Sequence, residues 1–356
     1  MTVSVRKRKL IAGMRQKQRL HAEALGDLRW LRPLDYARSM AEDSARRVAE
    51  SRKLFPWKFL RGDCHLHTQH SDGISTVAET AEMIAAAGLD FGFVTDHWGV
   101  TQERECRRHG LWVGQEPGAK FHHLGILGLD HAFKPGKVDL VADFLEVRRR
   151  GGTAFIPHPA GWWPVRIYTE EAKQALEGLP SPFLMEIING GHNLVTAFDF
   201  IDAMAVELWD RLLTTGRRIH AMANTDAHIP HQIGIAWNAV FAPRRDQRSV
   251  LKALSMGRSF ASEAPLLNLT VGGTGMGGQV PDRARPGELV ATVVESRGLQ
   301  SVRLVADGKV RRTWRMDGQT CFTHQQTVPA AWARYVRVEA CTLDGRRGFS
   351  NPVYLA

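Results

Sequence analysis

Residues 63–73 read Asp63-Cys64-His65-Leu66-His67-Thr68-Gln69-His70-Ser71-Asp72-Gly73 and place two imidazoles two positions apart. The apolar and basic run of residues 54–60 leads into them, and the pattern predicts a strand. Alternate residues of a strand point to the same side, so His65 and His67 can face one ion together. Asp72 follows on the loop before a helix. A single His-x-His pair is weak evidence for a metal site, but similar histidine and carboxylate motifs recur later in the chain.

The middle of the chain alternates apolar strand-like runs with helical stretches, which is typical of a parallel α/β architecture. The predicted helices cover residues 76–88, 138–150, 196–215 and 247–257. The predicted strands cover residues 91–95, 111–113, 122–129, 153–156, 183–188 and 219–223. Most of these strands lead to a histidine or a carboxylate at their carboxyl ends. Because such ends converge on one face of a parallel barrel, we expect these groups to meet there.

Histidine placement supports a metal centre, since 13 of the 15 histidines fall between positions 65 and 231. The candidate ligands are His65, His67, Asp72, His97, Glu116, His123, His158, Asp226 and His228. Imidazole with carboxylate suits Zn, Mn or Fe, and the absence of cysteine from the set argues against a structural zinc finger. Nine ligands exceed what one tetrahedral ion needs and suit two or three divalent ions that share a carboxylate.

Several motifs, taken together and in order, resemble the PHP (polymerase and histidinol phosphatase) superfamily over roughly residues 60–262. The motifs are His65-Leu66-His67 with Ser71-Asp72-Gly73, Thr95-Asp96-His97, Gly114-Gln115-Glu116, the His123 strand, Pro157-His158-Pro159 and Thr225-Asp226-Ala227-His228. More loosely, the tail, with Gly257-Arg258-Ser259-Phe260 and Ser350-Asn351-Pro352-Val353-Tyr354, is similar to the branch of that superfamily that includes carbaryl hydrolases.

The resemblance implies a distorted (β/α)7 TIM-like barrel with a trinuclear metal centre. One ion would take His65, His67, Glu116 and Asp226. A second would share Glu116 and add His123 and His158. A third would take Asp72, His97 and His228. His122 is the alternative to His123, because alternation along a strand lets only one of the two face the site.

The predicted activity is that of a metal-dependent hydrolase in which a hydroxide bridging two ions attacks the substrate. Glu116, Asp226 and His228 are the residues expected to carry the catalysis. The substrate would be a small molecule with a phosphoester, or a carbamate, amide or ester. The alternative is a metal-stabilised binding or scaffold protein, whose basic N-terminal arm recruits an acidic partner.

Four residues near the ligand-bearing strand ends are expected to bind substrate: Trp98, Trp163, Arg166 and His192, with Trp162 beside them. The alternative is that the aromatic residues pack at the barrel rim and that the arginine is solvated. Glu186 and Asn189 end a strand on the same face and either line the pocket or shape a turn. Asp63 and Asp96 either orient an imidazole or cap a loop.

Charge is unevenly distributed along the 356 residues. Residues 1–61 hold 16 Lys and Arg against 6 Asp and Glu, whereas the rest holds 31 of each. We expect a basic helical extension over residues 1–58, the hydrolase barrel over 59–262 and a small antiparallel β-sandwich over 263–356. The neutral body lacks a strong basic channel, which disfavours a polynucleotide exonuclease.

The basic extension either packs on its own barrel or on a second subunit, which would make a homo-oligomer, or it binds nucleic acid or an anionic surface. An organelle transit peptide is a further alternative. No apolar run reaches the length of a membrane span, and no secretory signal is recognisable, so we expect a cytoplasmic protein. The scattered cysteines predict reduced thiols, with Cys321 and Cys341 as small core residues.

Overall fold

The structure is a computed structural model, and it describes most of the chain from residue 33 onward. The described residues are 33–97, 99–118, 122–129, 131–133, 139–162, 166–190 and 198–355. Most of the basic segment expected over residues 1–58 therefore lies outside the described residues.

Seven α-helices are formed by the described residues. They are α1 (Pro33–Arg52), α2 (Val77–Ala86), α3 (Glu103–His109), α4 (Leu140–Arg149), α5 (Glu170–Ala175), α6 (Phe200–Thr214) and α7 (Gln247–Ser255). Local capping explains where several of them begin. Thr76 accepts a bond from the backbone N–H of Glu79, and the Glu79 side chain bonds back to Thr76, which forms a capping box at the start of α2.

The described residues also form twenty strands. They are β1 (Leu60–Leu66), β2 (Phe91–Val94), β3 (Trp112–Gln115), β4 (Gly125–Leu127), β5 (Thr153–Ile156), β6 (Gly161–Trp162), β7 (Arg166–Ile167), β8 (Phe183–Asn189), β9 (Ile219–Asn224), β10 (Trp237–Val240), β11 (Ser259–Ser262), β12 (Leu266–Val271), β13 (Thr274–Gly275), β14 (Glu288–Val294), β15 (Leu299–Ala306), β16 (Lys309–Arg315), β17 (Cys321–Thr327), β18 (Tyr335–Thr342), β19 (Arg347–Ser350) and β20 (Val353–Tyr354).

The predicted α/β class is confirmed, but the large sheet is mixed and is not closed. Its order runs β16-β15-β18-β19-β11-β10-β1-β2-β3-β4-β5-β8-β9, and β20 pairs with β18. The pairs β1–β2, β2–β3, β5–β8 and β8–β9 are parallel, as expected. Strand β4 runs antiparallel to both of its neighbours, and β10 runs antiparallel to β1. The closed (β/α)7 barrel is therefore not confirmed.

The edge strand β9 nevertheless lies alongside β1. A single parallel bridge joins Leu66 to Ala227, and the backbone N–H of Cys64 donates to the Asn224 side chain at 3.0 Å. Side-chain bonds thus hold the two strands together where a continuous ladder is missing. This contact brings the residues that follow β9 next to those at the end of β1.

The C-terminal strands are antiparallel, but a separate β-sandwich is not confirmed. Strand β19 pairs with β11, so β15, β16, β18 and β19 continue the large sheet, while β13, β12, β14 and β17 form a four-stranded sheet. Both sheets contribute to one buried cluster that also contains residues of α1 and β1, such as Val48 and Leu66. The chain positions proposed for the domain boundaries stay predictions.

The cysteines of the described chain are all free. Cys64, Cys106 and Cys341 are buried, whereas Cys321 is exposed, so the expectation of a core position was wrong for Cys321. Among the described helices, none combines the length and the apolar character needed to cross a bilayer.

A buried ion pair holds α1 against the C-terminal strands. The Arg47 side chain is 3% exposed and lies 2.6 Å from the fully buried Glu295 carboxylate, and it also contacts Asp344 at 2.6 Å. Because the Arg47 and Glu295 charges are removed from water, each depends on the other for compensation.

We predict that Arg47→Ala lowers the free energy of unfolding by about 3–5 kcal/mol, because it leaves the Glu295 charge buried without a counter-charge. Urea unfolding monitored by circular dichroism measures this change. Arg46→Ala is the matched control, since Arg46 is 65% exposed on the same helix, and its cost should stay within about 0.5 kcal/mol. Equal costs for the two variants would contradict the prediction.

Candidate metal centre

Strand β1 positions the first two imidazoles at its carboxyl end. His65 lies within the strand and His67 follows it, and both are buried. Their Nε2 atoms lie 3.1 Å apart, so the two rings converge on one point. Cys64 and Leu66 are buried in apolar clusters instead, as the alternation of a strand requires.

Two carboxylates complete a compact set around these imidazoles. Asp226 Oδ1 lies 3.2 Å from His65 Nε2 and 3.0 Å from His67 Nε2. Glu116 Oε2 lies 3.3 Å from both nitrogens. Ligand atoms of these four residues all lie within 4.8 Å of one another, and all four residues are buried. The structure thus brings together the set expected for the first ion.

The donor set of this first group fits a divalent ion. Bonds of about 2.0–2.2 Å to a tetrahedral ion place neighbouring ligand atoms roughly 3.3–3.6 Å apart, close to the separations seen here. Asp226 Oδ1 and Asp72 Oδ1 are buried and accept no hydrogen bond of acceptable geometry from the described residues. A buried carboxylate oxygen without such a partner is costly unless a cation compensates it.

A second compact set lies beside the first and contains His67, Asp72, His97 and His228. Asp72 is central, with His97 Nε2 at 3.5 Å and His228 Nε2 at 3.4 Å from its oxygens. The rings of His97 and His228 flank the His67 ring at centroid distances of 4.6 and 4.5 Å. The three residues expected for the third ion are therefore together, and His67 joins them.

A third compact set differs in part from the expectation, because it contains His97, Glu116 and His123. His123 Nδ1 lies 2.8 Å from Glu116 Oε1. His158 Nε2 contacts the same oxygen at 3.1 Å, so His158 is adjacent but lies outside the compact set. Glu116 offers one oxygen to the β1 imidazoles and the other to His123 and His158, which is the geometry of a bridging carboxylate.

The neighbouring histidines at positions 122 and 123 point in different directions. His123 faces the cluster, whereas His122 is buried beside α5 with its Nε2 atom 2.6 Å from the carbonyl oxygen of Ala172. The structure thus places His123, rather than His122, among the candidate ligands.

Electrostatic coupling within the cluster shifts several pKa values. Burial alone would lower the pKa of His65, but the Asp226 and Glu116 carboxylates raise it well above its usual value. The same balance raises the pKa of His67 to about 10. Conversely, burial raises the pKa of Glu116 and Asp226, and the imidazoles overcome this effect and hold both pKa values well below the usual range. The cluster keeps its carboxylates ionised and available as ligands.

Glu186 supports the cluster from behind, a role that sequence reasoning left undecided. Its Oε1 atom lies 3.1 Å from His65 Nδ1 and accepts from Asn224 at 2.8 Å. Its Oε2 atom accepts from the backbone N–H of His158 at 2.7 Å and from Asn189 at 2.8 Å. The contact to Nδ1 fixes the ring of His65 with Nε2 toward the carboxylates. The available signal was a glutamate inside the otherwise apolar run of β8.

The aspartates at positions 63 and 96 hold loops rather than imidazoles. Asp63 accepts from the Thr225 hydroxyl and from the backbone N–H groups of His65 and Thr225. Asp96 accepts from the hydroxyl and the N–H of Thr68 at 2.7 and 2.8 Å. Burial raises the pKa of Asp63 to about 7. Of the two roles considered for these aspartates, loop capping is the one that the structure shows.

Backbone conformation at the cluster is strained at two candidate ligands. His158 has φ 28° and Asp226 has φ 49°, values in the left-handed region that non-glycine residues rarely adopt. Such strain persists where surrounding contacts over-determine the chain, and it concentrates at functional sites. Gly73 is required for a different reason, because a Cβ atom there would lie 2.3 Å from the carbonyl oxygen of His67.

The structure describes few of the residues predicted to bind substrate. Trp98, Trp163 and His192 lie outside the described residues, and for Arg166 only its place in β7 is described. Trp162 is half-buried, and its ring centroid lies 4.8 Å from that of His158 and 5.6 Å from that of His123. One wall beside the cluster is therefore aromatic.

Among known proteins, the chain is similar to solved structures at low sequence identity. No protein-family model matches the chain, and no curated protein matches it. A two-domain protein from Bacteroides vulgatus that contains a predicted PHP-like metal-dependent phosphoesterase is 15% identical, with a TM-score of 0.45, covering 84% of this chain and 95% of that one. PsfC from Pseudomonas syringae is 17% identical, with a TM-score of 0.41, covering 56% and 90%.

An amidohydrolase from Chromobacterium violaceum, solved with bound sulfate and no metal, is 16% identical. Its TM-score is 0.32, and the match covers 47% of this chain and 87% of that one. The solved structures to which the chain is similar thus include a protein that contains a predicted PHP-like metal-dependent phosphoesterase, and an amidohydrolase. These TM-scores are all below 0.5, so evidence for the function comes from the geometry of the cluster.

We predict that Glu186→Gln lowers the affinity for Zn or Mn about 10- to 100-fold. In either orientation of the glutamine amide, its NH2 group would face two hydrogen-bond donors. Either the His65 ring or the backbone N–H of His158 therefore loses its hydrogen-bond acceptor. Competition with a chromophoric chelator measures the affinity. Glu105→Gln is the matched control, because Glu105 also contacts a histidine, His70, at 3.2 Å, but neither residue belongs to the three compact sets. Unchanged affinity in Glu186→Gln would contradict the positioning role.

Proposed function

We propose that this chain is a metal-dependent hydrolase that cleaves a phosphoester of a small molecule. The observation that carries the proposal is the position of the Glu116 carboxylate between two groups of imidazoles, with one oxygen toward His65 and His67 and the other toward His123 and His158. Adjacent divalent ions suit phosphoester hydrolysis because they can stabilise both the attacking and the leaving oxygen. Carbamate, amide or ester cleavage, the chemistry of the carbaryl hydrolase branch, is the second substrate class.

The proposed ligands divide into the three sets described above. His65, His67, Glu116 and Asp226 would hold one ion, and Asp72, His97 and His228 a neighbouring one. Glu116 with His123, and with His158 or His97, would hold a third. Zn, Mn or Fe bound there would lower the pKa of water toward neutrality and offset charge that grows on the substrate.

Exposure within the cluster indicates how substrate approaches. The His65 and His67 side chains are fully buried, whereas those of His97, His123 and His228 are 13%, 26% and 21% exposed. The open side of the cluster is therefore the side of these three histidines, and we propose that the substrate enters there. His228 lies on this open side, and we propose it as a catalytic residue. Glu116 and Asp226 are the other two proposed catalytic residues.

An aromatic wall would favour substrates with an apolar group next to the scissile bond. Trp162 lies against His123 and His158 on that side and can pack against such a group. Trp98, Trp163, Arg166 and His192 remain proposed substrate-binding residues, with Arg166 suited to an anionic group.

We predict that the metal-loaded protein hydrolyses at least one of three substrates: p-nitrophenyl phosphate, bis-p-nitrophenyl phosphate or an aryl carbamate. Chelation should abolish turnover, and Mn or Zn should restore it. Asp226→Asn and His97→Ala should each lower kcat by at least about 100-fold, because each removes a ligand atom from the cluster. His109→Ala is the control, since His109 is exposed at the end of α3.

The pattern across the panel separates the chemistries. Turnover of either phosphate ester supports the phosphoesterase, and turnover of the carbamate alone supports the second substrate class. No turnover of any substrate would contradict both. If the protein binds metal but Asp226→Asn and His97→Ala change only its melting temperature, a metal-stabilised scaffold is favoured instead.

A further inference from the structure

A cavity of about 340 Å³ lies away from the metal cluster, and the proposed hydrolase does not use it. It is lined by Phe241, Pro243, Arg244, Arg248, Ser249, Lys252, Ala253, Met256 and Arg258. The residues come from the end of β10, from α7 and from the segment before β11. Its volume lies within the range of small-molecule sites.

The cavity lies at the opposite end of the central strands from the cluster. Strand β10 runs antiparallel to β1, with Val240 opposite Leu60 at the start of β1. Phe241 follows Val240, whereas His65 and His67 stand at the far end of β1. Seven residues of extended chain span about 20 Å, so a molecule in this cavity does not touch the metal ligands.

The charged residues that line the cavity are all basic. Arg248 and Lys252 are one turn apart on α7 and therefore share a face, a spacing at which like charges destabilise a helix. Arg244 contacts Asp246 at 3.0 Å on the exposed surface. Within the described chain, no carboxylate oxygen lies within 4.0 Å of a side-chain nitrogen of Arg248, Lys252 or Arg258. Three cations thus surround one concavity without a counter-charge.

Apolar groups form the rest of the lining. Phe241 is partly buried, Ala253 is buried, and Met256 leaves 39% of its surface exposed. An inorganic anion would contact the cations and leave this apolar surface exposed to water. A molecule that carries both features would neutralise the cations and cover the apolar wall.

We propose that this cavity binds a small organic anion, with one carboxylate, sulfonate or phosphate group on an apolar body. The anionic group lies between Arg248, Lys252 and Arg258. The apolar body lies against Phe241 and Met256. The site is independent of the metal cluster, so its occupancy does not require that the chain be a hydrolase.

Fluorescence titration with 8-anilinonaphthalene-1-sulfonate tests the proposal. N-phenyl-1-naphthylamine has the same ring system without the sulfonate and serves as the neutral probe. We expect the anionic probe to bind more tightly than the neutral one. The double variant Arg248→Ala/Lys252→Ala should weaken binding of the anionic probe about tenfold or more and leave the neutral probe unchanged.

A second double variant, Arg108→Ala/Arg315→Ala, removes the same charge from exposed positions elsewhere and should bind the anionic probe normally. Arg248→Lys keeps the charge and should retain most of the binding. If the double alanine variant fails to fold, Arg248→Gln removes one charge from the same wall and should weaken binding of the anionic probe, and unchanged binding in it would overturn the proposal. Equal weakening in both double variants would overturn the proposal. So would equal binding of the two probes, or unchanged binding of the anionic probe in Arg248→Ala/Lys252→Ala.

Discussion

The burial of the Glu116 carboxylate among imidazoles is the constraint on which the site depends. Its two oxygens lie within 3.4 Å of ring nitrogens from His65, His67, His97, His123 and His158. Together with Glu116, these histidines come from the ends of β1 to β5 or from the loops beside them. The five strands are adjacent in the sheet and follow the order of the chain. Asp226 joins them because β9, at the sheet edge, lies back against β1. The fold therefore concentrates ligands that no single segment could supply.

Buried polar side chains then keep this cluster in one arrangement. Glu186 accepts four hydrogen bonds, and two of its partners are His65 and the backbone of His158. Asp63 and Asp96 hold the loops at the ends of β1, β2 and β9. These contacts offset the strain of left-handed backbone at His158 and Asp226. A site that has to hold several ions at close separations needs such fixed positions, since misplacement of a ligand weakens binding.

The local pattern of the sequence predicted the site better than it predicted the fold. The His-x-His pair and the later motifs place the candidate ligands at or after strand ends, with Asp72 on the loop before a helix. The structure brings all nine residues into one cluster or into contact with it. Strand direction is not encoded in hydrophobic alternation, so the antiparallel β4 and β10 could not be foreseen. The pairing of β19 with β11 depends on contacts between residues far apart in sequence, so the C-terminal strands could not be placed. The role of Glu186 depends on its partners in space.

The most direct test of a shared, multi-ion centre is anomalous diffraction from crystals grown with Mn or Zn, with data collected at the absorption edge of the metal. Our account predicts at least two anomalous peaks at the cluster, one between His65, His67 and Asp226 and another that shares Glu116 with it. A cluster without any peak, or a single ion bound elsewhere on the chain, would contradict it.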